Sequence, residues 1–146
     1  LLHAAAASDV HADRRSGGLA LDHVALARVE LRDANFDRLE EQLSLARAAL
    51  SRGPSAAAAS VEQLAAFVSM CEREPEDAVR HCDAALAAAS RTCGNDHRDH
   101  AWTWAMRAWA QLELGHLGAC DESLRVATRL LGGGRAVDAL TRGTLA

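Results

Sequence analysis

The sequence has no isoleucine, few valines, no lysine and only two prolines. Each shortage excludes something. Strands draw on β-branched residues, so their scarcity argues against a sheet. With lysine absent, the 16 basic residues are all arginine against 20 acidic ones, and the net charge is −4. That balance leaves no basic stripe for nucleic acid. The two prolines, Pro54 and Pro75, each fall at a break between helical patterns. No apolar run approaches the roughly 18 residues of a membrane span, and the opening Leu1–Ala7 lacks the basic lead of a signal peptide. A chain that begins at Leu1 in place of Met is expected to be a piece of a longer protein.

The fingerprints of catalysis are also missing. There is no Gly-x-Ser-x-Gly elbow, and Gly132-Gly133-Gly134 has neither a following Lys-Ser/Thr nor a preceding strand. No enzyme activity and no cofactor are expected. The four cysteines, Cys71, Cys82, Cys93 and Cys120, do not have the spacing of a small disulfide scaffold. A reduced, cytoplasmic setting is expected, with Cys71, Cys82 and Cys120 in or near the core. Cys93, His97 and His100, with Cys82 or His81 as a fourth ligand, are spaced as zinc ligands can be. They lack a paired Cys-x-x-Cys, however, and no metal is expected.

What is abundant is alanine, with other strong helix formers. Apolar residues make up 49% of the 146, enough for one domain with its own core. The pattern predicts six helices, over about 19–32, 35–51, 56–73, 75–92, 99–114 and 117–131. Pro75 suits a helix start. Gly94 and Gly132 suit helix ends, and Asp96 or Asp99 suits the cap of the fifth helix.

Corresponding residues recur along the chain. The step from Ala27 to Ala66 equals that from Ala46 to Ala85. The next step, slightly longer, is again shared, from Ala66 to Ala108 and from Ala85 to Ala127. The third unit is the most explicit. Trp104 takes a large place, Ala108 a small one, Gly115 the turn, Leu117 a large residue after it, and Cys120 and Ala127 small places with Leu124 between them. Ala66, Ala78, Cys82 and Ala85 occupy the same frame in the second unit, with Glu62 at the aromatic place and Pro75 at the large turn place. Ala27, Phe36, Leu39, Leu43 and Ala46 occupy it in the first.

This frame resembles the tetratricopeptide repeat. The segment Cys93–Ala101 resembles the Gly-x-Asp-His linker of the extended, kinesin-light-chain-like type, with Arg98 where that type usually has proline. The resemblance covers about residues 19–131. It implies an all-α solenoid of three antiparallel helix hairpins (19–53, 54–94 and 95–131) in a right-handed superhelical stack. Residues 1–18 would be the tail of a preceding helix plus a linker, and 132–146 a glycine-rich tail or the start of a further helix. Small residues at 27, 66 and 108 would let helices approach, with Phe36, Trp104 and Leu117 filling the gaps between them. One hairpin cannot bury its apolar stripe alone, whereas stacked neighbours share a core.

The resemblance also implies a function. Such repeats bind proteins, and the first helix of each hairpin would line a concave groove. The frame places Leu21, Val24, Arg28, Leu31 and Arg32 there from the first unit. The second gives Ser60, Gln63, Phe67, Met70 and Cys71, and the third Trp102, Ala105, Trp109, Leu112 and Glu113. The expected groove residues are Arg28, Arg32, Gln63, Phe67, Met70, Trp102, Trp109 and Leu112. Trp102 and Trp109 are two helical turns apart and share a helix face, while Trp104 points inward. Arg28 and Arg32 would give a basic edge. Chaperone-tail-binding relatives clamp a carboxylate with Lys, Asn and Arg; here those places hold Val24, Arg28, Leu64, Trp102 and Met106, so no such clamp is expected. The expected role is a protein-binding adaptor or scaffold segment of a larger intracellular protein, with a peptide or helix in the groove and neighbouring repeats beside it. Two alternatives are the ligand- or peptide-sensing region of a multidomain transcription or signalling regulator, and a purely structural segment whose aromatic face is covered by neighbouring repeats. Neither nucleic acid nor membrane is an expected partner.

Overall fold

The computed structural model describes residues 18–50, 56–93 and 100–132. All secondary structure among them is helical. Helix α1 covers 18–32, α2 Phe36–Ala49, α3 Ala56–Cys71, α4 Pro75–Cys93, α5 Ala101–Glu113 and α6 Leu117–Leu130. These bounds sit close to the expected ones. The exceptions are the α2–α3 and α4–α5 connections, where Pro54, Gly94, Asp96 and Asp99 lie outside the described residues, as do 1–17 and 133–146.

One turn geometry recurs three times. Ala34 (φ 56°), Arg73 (φ 64°) and Gly115 (φ 74°) all adopt the left-handed conformation just after a helix. The next residue's amide then reaches back into the last turn of that helix: Asn35 to the Glu30 carbonyl at 2.9 Å, Glu74 to Ser69 at 2.8 Å, and His116 to Gln111 at 2.8 Å. The left-handed residues themselves donate to Leu31, Met70 and Leu112. This pair of hydrogen bonds is the Schellman closure, which satisfies carbonyls that a helix end leaves open. The turns at Ala34, Arg73 and Gly115 are spaced as Ala27, Ala66 and Ala108 are. Each turn's last residue then accepts the first bond of the following helix, from Leu39, Ala78 and Cys120 respectively. A short reversal of this kind joins α1 to α2, α3 to α4, and α5 to α6.

Packing follows the same intervals. Ala27, Ala66 and Ala108 are buried, as are Ala46, Ala85 and Ala127. A methyl group at each contact lets the helix axes come close. The largest apolar cluster joins Val24 and Ala27 of α1, Leu39, Leu43 and Ala46 of α2, and Val61, Leu64 and Val68 of α3. Further along, Ala66 of α3, Cys82 of α4 and Met106 of α5 pack together, with Phe67 against them. Met70, Ala78 and Ala110 form a third cluster.

Polar ties also repeat. The Nδ1–H of His23 donates to Gln42 Oε1 at 2.8 Å, between α1 and α2. At the equivalent places of the second unit, the Nδ1–H of His81 donates to Glu62 Oε2 at 2.6 Å, between α4 and α3. The third pair of places holds Trp104 and Ser123. There the Arg107 guanidinium lies 5.5 Å from the Trp104 ring centroid, a cation–π distance. It donates to Ser123 Oγ at 2.9 Å and to Asp83 Oδ1 at 2.7 Å, which ties α5 to α6 and α4. Glu62 is therefore the first member of a polar pair rather than a failed aromatic.

Three packing expectations are corrected. Phe36 and Leu117 do not fill gaps; each opens its helix with its side chain exposed. Cys71 is exposed on the last turn of α3, whereas Cys82 and Cys120 are buried. Trp104 is half-buried beneath Arg107 rather than enclosed.

Candidate functional site

The first helices of the three pairs, α1, α3 and α5, lie side by side. Gln63 of α3 donates to Thr103 Oγ1 of α5 at 2.7 Å, and Leu64 and Val68 of α3 share a cluster with Val24 and Ala27 of α1. Along this row are two depressions. The first, of about 160 Å³, is lined by Arg28, Leu31, Gln63, Leu64, Phe67 and Trp102. The second, of about 490 Å³, is lined by Met70, Arg73, Pro75, Trp109 and Glu113.

Most of the expected groove residues border these depressions: Arg28, Gln63, Phe67 and Trp102 the first, Met70 and Trp109 the second. The other two, Arg32 and Leu112, are exposed on α1 and α5. Trp102 and Trp109 are 55% and 44% exposed, so about half of each indole meets solvent. Met70 is different. It is only 7% exposed and packs against Ala78 and Ala110, so it forms the floor of its depression and is not a free anchor. Val24, Leu64 and Met106 are likewise buried. Of the clamp places only Arg28 and Trp102 face solvent.

Arg73 and Pro75 join the site without a sequence signal. They come from the α3–α4 reversal, where the left-handed backbone at Arg73 places that residue beside Trp109. A charged residue at a turn reads as solvated surface in sequence, so only the fold discloses this placement. Trp109 is partly fixed by its Nε1–H, which donates to Glu113 Oε1 at 3.4 Å one turn later.

Burial pushes the Cys82 thiol up to about 12, with Asp83 adding to the effect and Arg107 opposing it. A thiol so hard to ionise is a poor nucleophile. Cys71 is also pushed up, by burial and then by the Glu72 charge. Of the expected zinc-spaced residues, His97 and the Cys93 side chain lie outside the described residues, and His100 is buried. Among the described residues no three His, Cys, Asp or Glu side chains converge on a point that would hold a metal ion. A separate cleft of about 380 Å³ between α2 and α4 carries Glu40, Glu72, Glu74 and Asp77. Burial, and then the Glu40 carboxyl beside it, push the Glu72 carboxyl up.

No protein-family model, curated protein or solved structure matches the chain. Among the described residues no helix is long and apolar enough to cross a membrane.

Proposed function

We propose that the chain is a stack of three tetratricopeptide-type hairpins that binds an extended segment of another protein along the face made by α1, α3 and α5. The observation that carries this reading is the pair of half-exposed indoles, Trp102 and Trp109, on one face of α5, each at the edge of a depression. Indoles left in water on a shallow concave face are the usual anchors of protein recognition. The identical turns, spaced as the buried alanines are, support the hairpin stack.

The role is adaptor or scaffold, without catalysis, in the cytoplasm. The partner lays one apolar side chain against Phe67 and Trp102 and a second against Met70 and Trp109. Arg28 and Arg73 flank the two contacts and orient acidic groups of the partner, more by steering than by added affinity.

The test is capture of partners from native lysate by the wild-type chain beside Trp102→Glu and Trp109→Glu, with circular dichroism to verify folding. A partner retained by the wild type and lost by both folded variants supports the groove. Equal capture by all three places binding elsewhere.

A further inference from the structure

The cleft of about 380 Å³ between α2 and α4 shares no lining residue with the two depressions of the groove. It uses another face of α3, with Ala65, Val68, Ser69 and Glu72 on it, whereas Gln63, Phe67 and Met70 border the groove. Helices α2 and α3 run antiparallel here, since Glu40 meets Glu72 near one end and Arg47 meets Glu62 near the other. The acidic residues Glu40, Glu72, Glu74 and Asp77 therefore gather at the α3–α4 reversal. Residues 51–55 adjoin the opposite ends of α2 and α3, and residues 94–99 the opposite end of α4.

The charges of this cleft do not balance. Its basic residues, Arg47 and His81, both go to Glu62, at 3.8 Å and 2.6 Å. Asp77 is paired with Arg80 at 2.7 Å. Glu40, Glu72 and Glu74 have no basic partner among the described residues. The Glu40 and Glu72 carboxyls lie within hydrogen-bonding reach of each other, and burial, then that contact, raises Glu72. Two carboxyls so close hold either a shared proton or a cation. Beneath the acidic rim, the buried Leu43, Ala65 and Val68 make an apolar floor. Ser69, one turn before Glu72, is buried beside them at 6% exposure. Among the described residues no hydrogen bond reaches its hydroxyl, and no enclosed polar atom lacks a partner, so its Oγ meets the open space of the cleft. A buried serine thus presents a free acceptor to the same space that the unpaired carboxylates rim.

We propose that this cleft binds a guanidinium group, with the Glu40 and Glu72 carboxylates and the Ser69 hydroxyl as acceptors and the apolar floor under its alkyl stem. A metal ion is too small for the arrangement, since among the described residues no three His, Cys, Asp or Glu side chains converge to hold one. A guanidinium is broader. Its five N–H donors lie in one plane and can reach two carboxylates and a hydroxyl together. It is also more weakly hydrated than an ammonium, so it loses less over an apolar floor. Two sources carry this chemistry, an arginine side chain of a polypeptide and a small free guanidine. The inference rests neither on the peptide groove nor on the stacked-hairpin reading.

The experiment titrates the full, nitrogen-15-labelled chain with N-acetyl-arginine amide and follows amide chemical shifts. Saturable shifts are expected around Glu40, Ser69, Glu72 and Glu74. N-acetyl-citrulline amide, of the same shape but uncharged, should give none, and N-acetyl-lysine amide should bind more weakly. Ser69→Ala should weaken binding of the arginine probe about tenfold, the loss of a hydrogen bond to a charged group. The double variant Glu40→Gln/Glu72→Gln should abolish saturation. Glu76→Gln, an exposed place on α4 outside the cleft, should leave it unchanged. Circular dichroism verifies that each variant is folded. No saturation by the arginine probe overturns the proposal, as does equal binding of the lysine probe or of magnesium ion, or binding unaltered in the Ser69→Ala or the double variant. Propylguanidine, the side chain alone, separates the two sources. Binding as tight as that of N-acetyl-arginine amide assigns the cleft to a free guanidine, and weaker binding assigns it to an arginine within a polypeptide.

Discussion

Two of the three turns place a side chain where glycine would be easier. Ala34 and Arg73 hold φ values of 56° and 64°, whereas the third turn uses Gly115 at 74°. A left-handed conformation costs an L-residue about 1–2 kcal/mol. Glycine escapes that strain, but its freer unfolded chain returns about 0.4–1 kcal/mol of the gain. Ala34→Gly and Arg73→Gly should therefore each stabilise the chain by about 0.5–1 kcal/mol. Lying in separate turns with no partner in common, the two should add. The reciprocal change isolates the backbone term. A Cβ placed at Gly115 would meet nothing within 4 Å, so Gly115→Ala is opposed by conformation alone and should cost about 1 kcal/mol. For a chain of this size each kilocalorie moves the melting temperature by about 2–4 °C. Thermal and urea unfolding of the three single variants and the Ala34/Arg73 double variant measure this. If Ala34→Gly and Arg73→Gly instead lose about 1 kcal/mol, as glycine does within a helix, the shared turn is wrong and the equivalence of the three pairs fails with it.

Other consequences can be checked by the same unfolding measurements. Leu39→Ala removes a fully buried side chain and should cost about 2–5 kcal/mol. Ala66→Leu forces a bulky side chain into a closed contact between α3 and its neighbours and should cost about 1–3 kcal/mol. The Cys82 thiol stays neutral in the folded chain up to about 12, while its unfolded counterpart ionises from 9.0. The unfolded state therefore binds fewer protons across that window, and stability falls as pH rises through it, by up to about 1.4 kcal/mol per pH unit. Cys82→Ser should flatten that slope in urea titrations between about pH 9 and 11, and an unchanged slope would show that the thiol is not the cause.

The helices and their order were legible because alanine-rich periodicity, the Pro75 start and Gly115 mark them directly. The turns at Ala34 and Arg73 were harder to see, since neither residue carries a left-handed signature. Their places followed from the breaks between helical patterns, and from Pro75 for the second, but not their left-handed backbone. The face of each first helix was read less well. A residue step turns a helix by about 100°, so a small rotation separates a groove position from a core one. Helices α3 and α5 are covered by neighbours on more than one side. Leu64, Met70 and Met106 consequently fell into the core, as did Val24 of α1 against α2 and α3, while Trp102 and Trp109 remained in solvent. Phe36 and Leu117 begin second helices, where much of each side chain stays exposed. Conversely Arg73 and Pro75 belong to the site through a turn whose shape the sequence does not encode in any single residue.

The most direct test of the groove uses its own indoles. In a Trp104→Phe chain, only Trp102 and Trp109 emit, since the protein has three tryptophans. Titrating a recovered partner into this variant should shift the emission to shorter wavelength and protect it from iodide quenching, with saturation at the same concentration as binding measured by calorimetry. A partner that binds by calorimetry while both indoles keep their emission and quenching would contradict the account, because the face of α1, α3 and α5 would then be free in the complex.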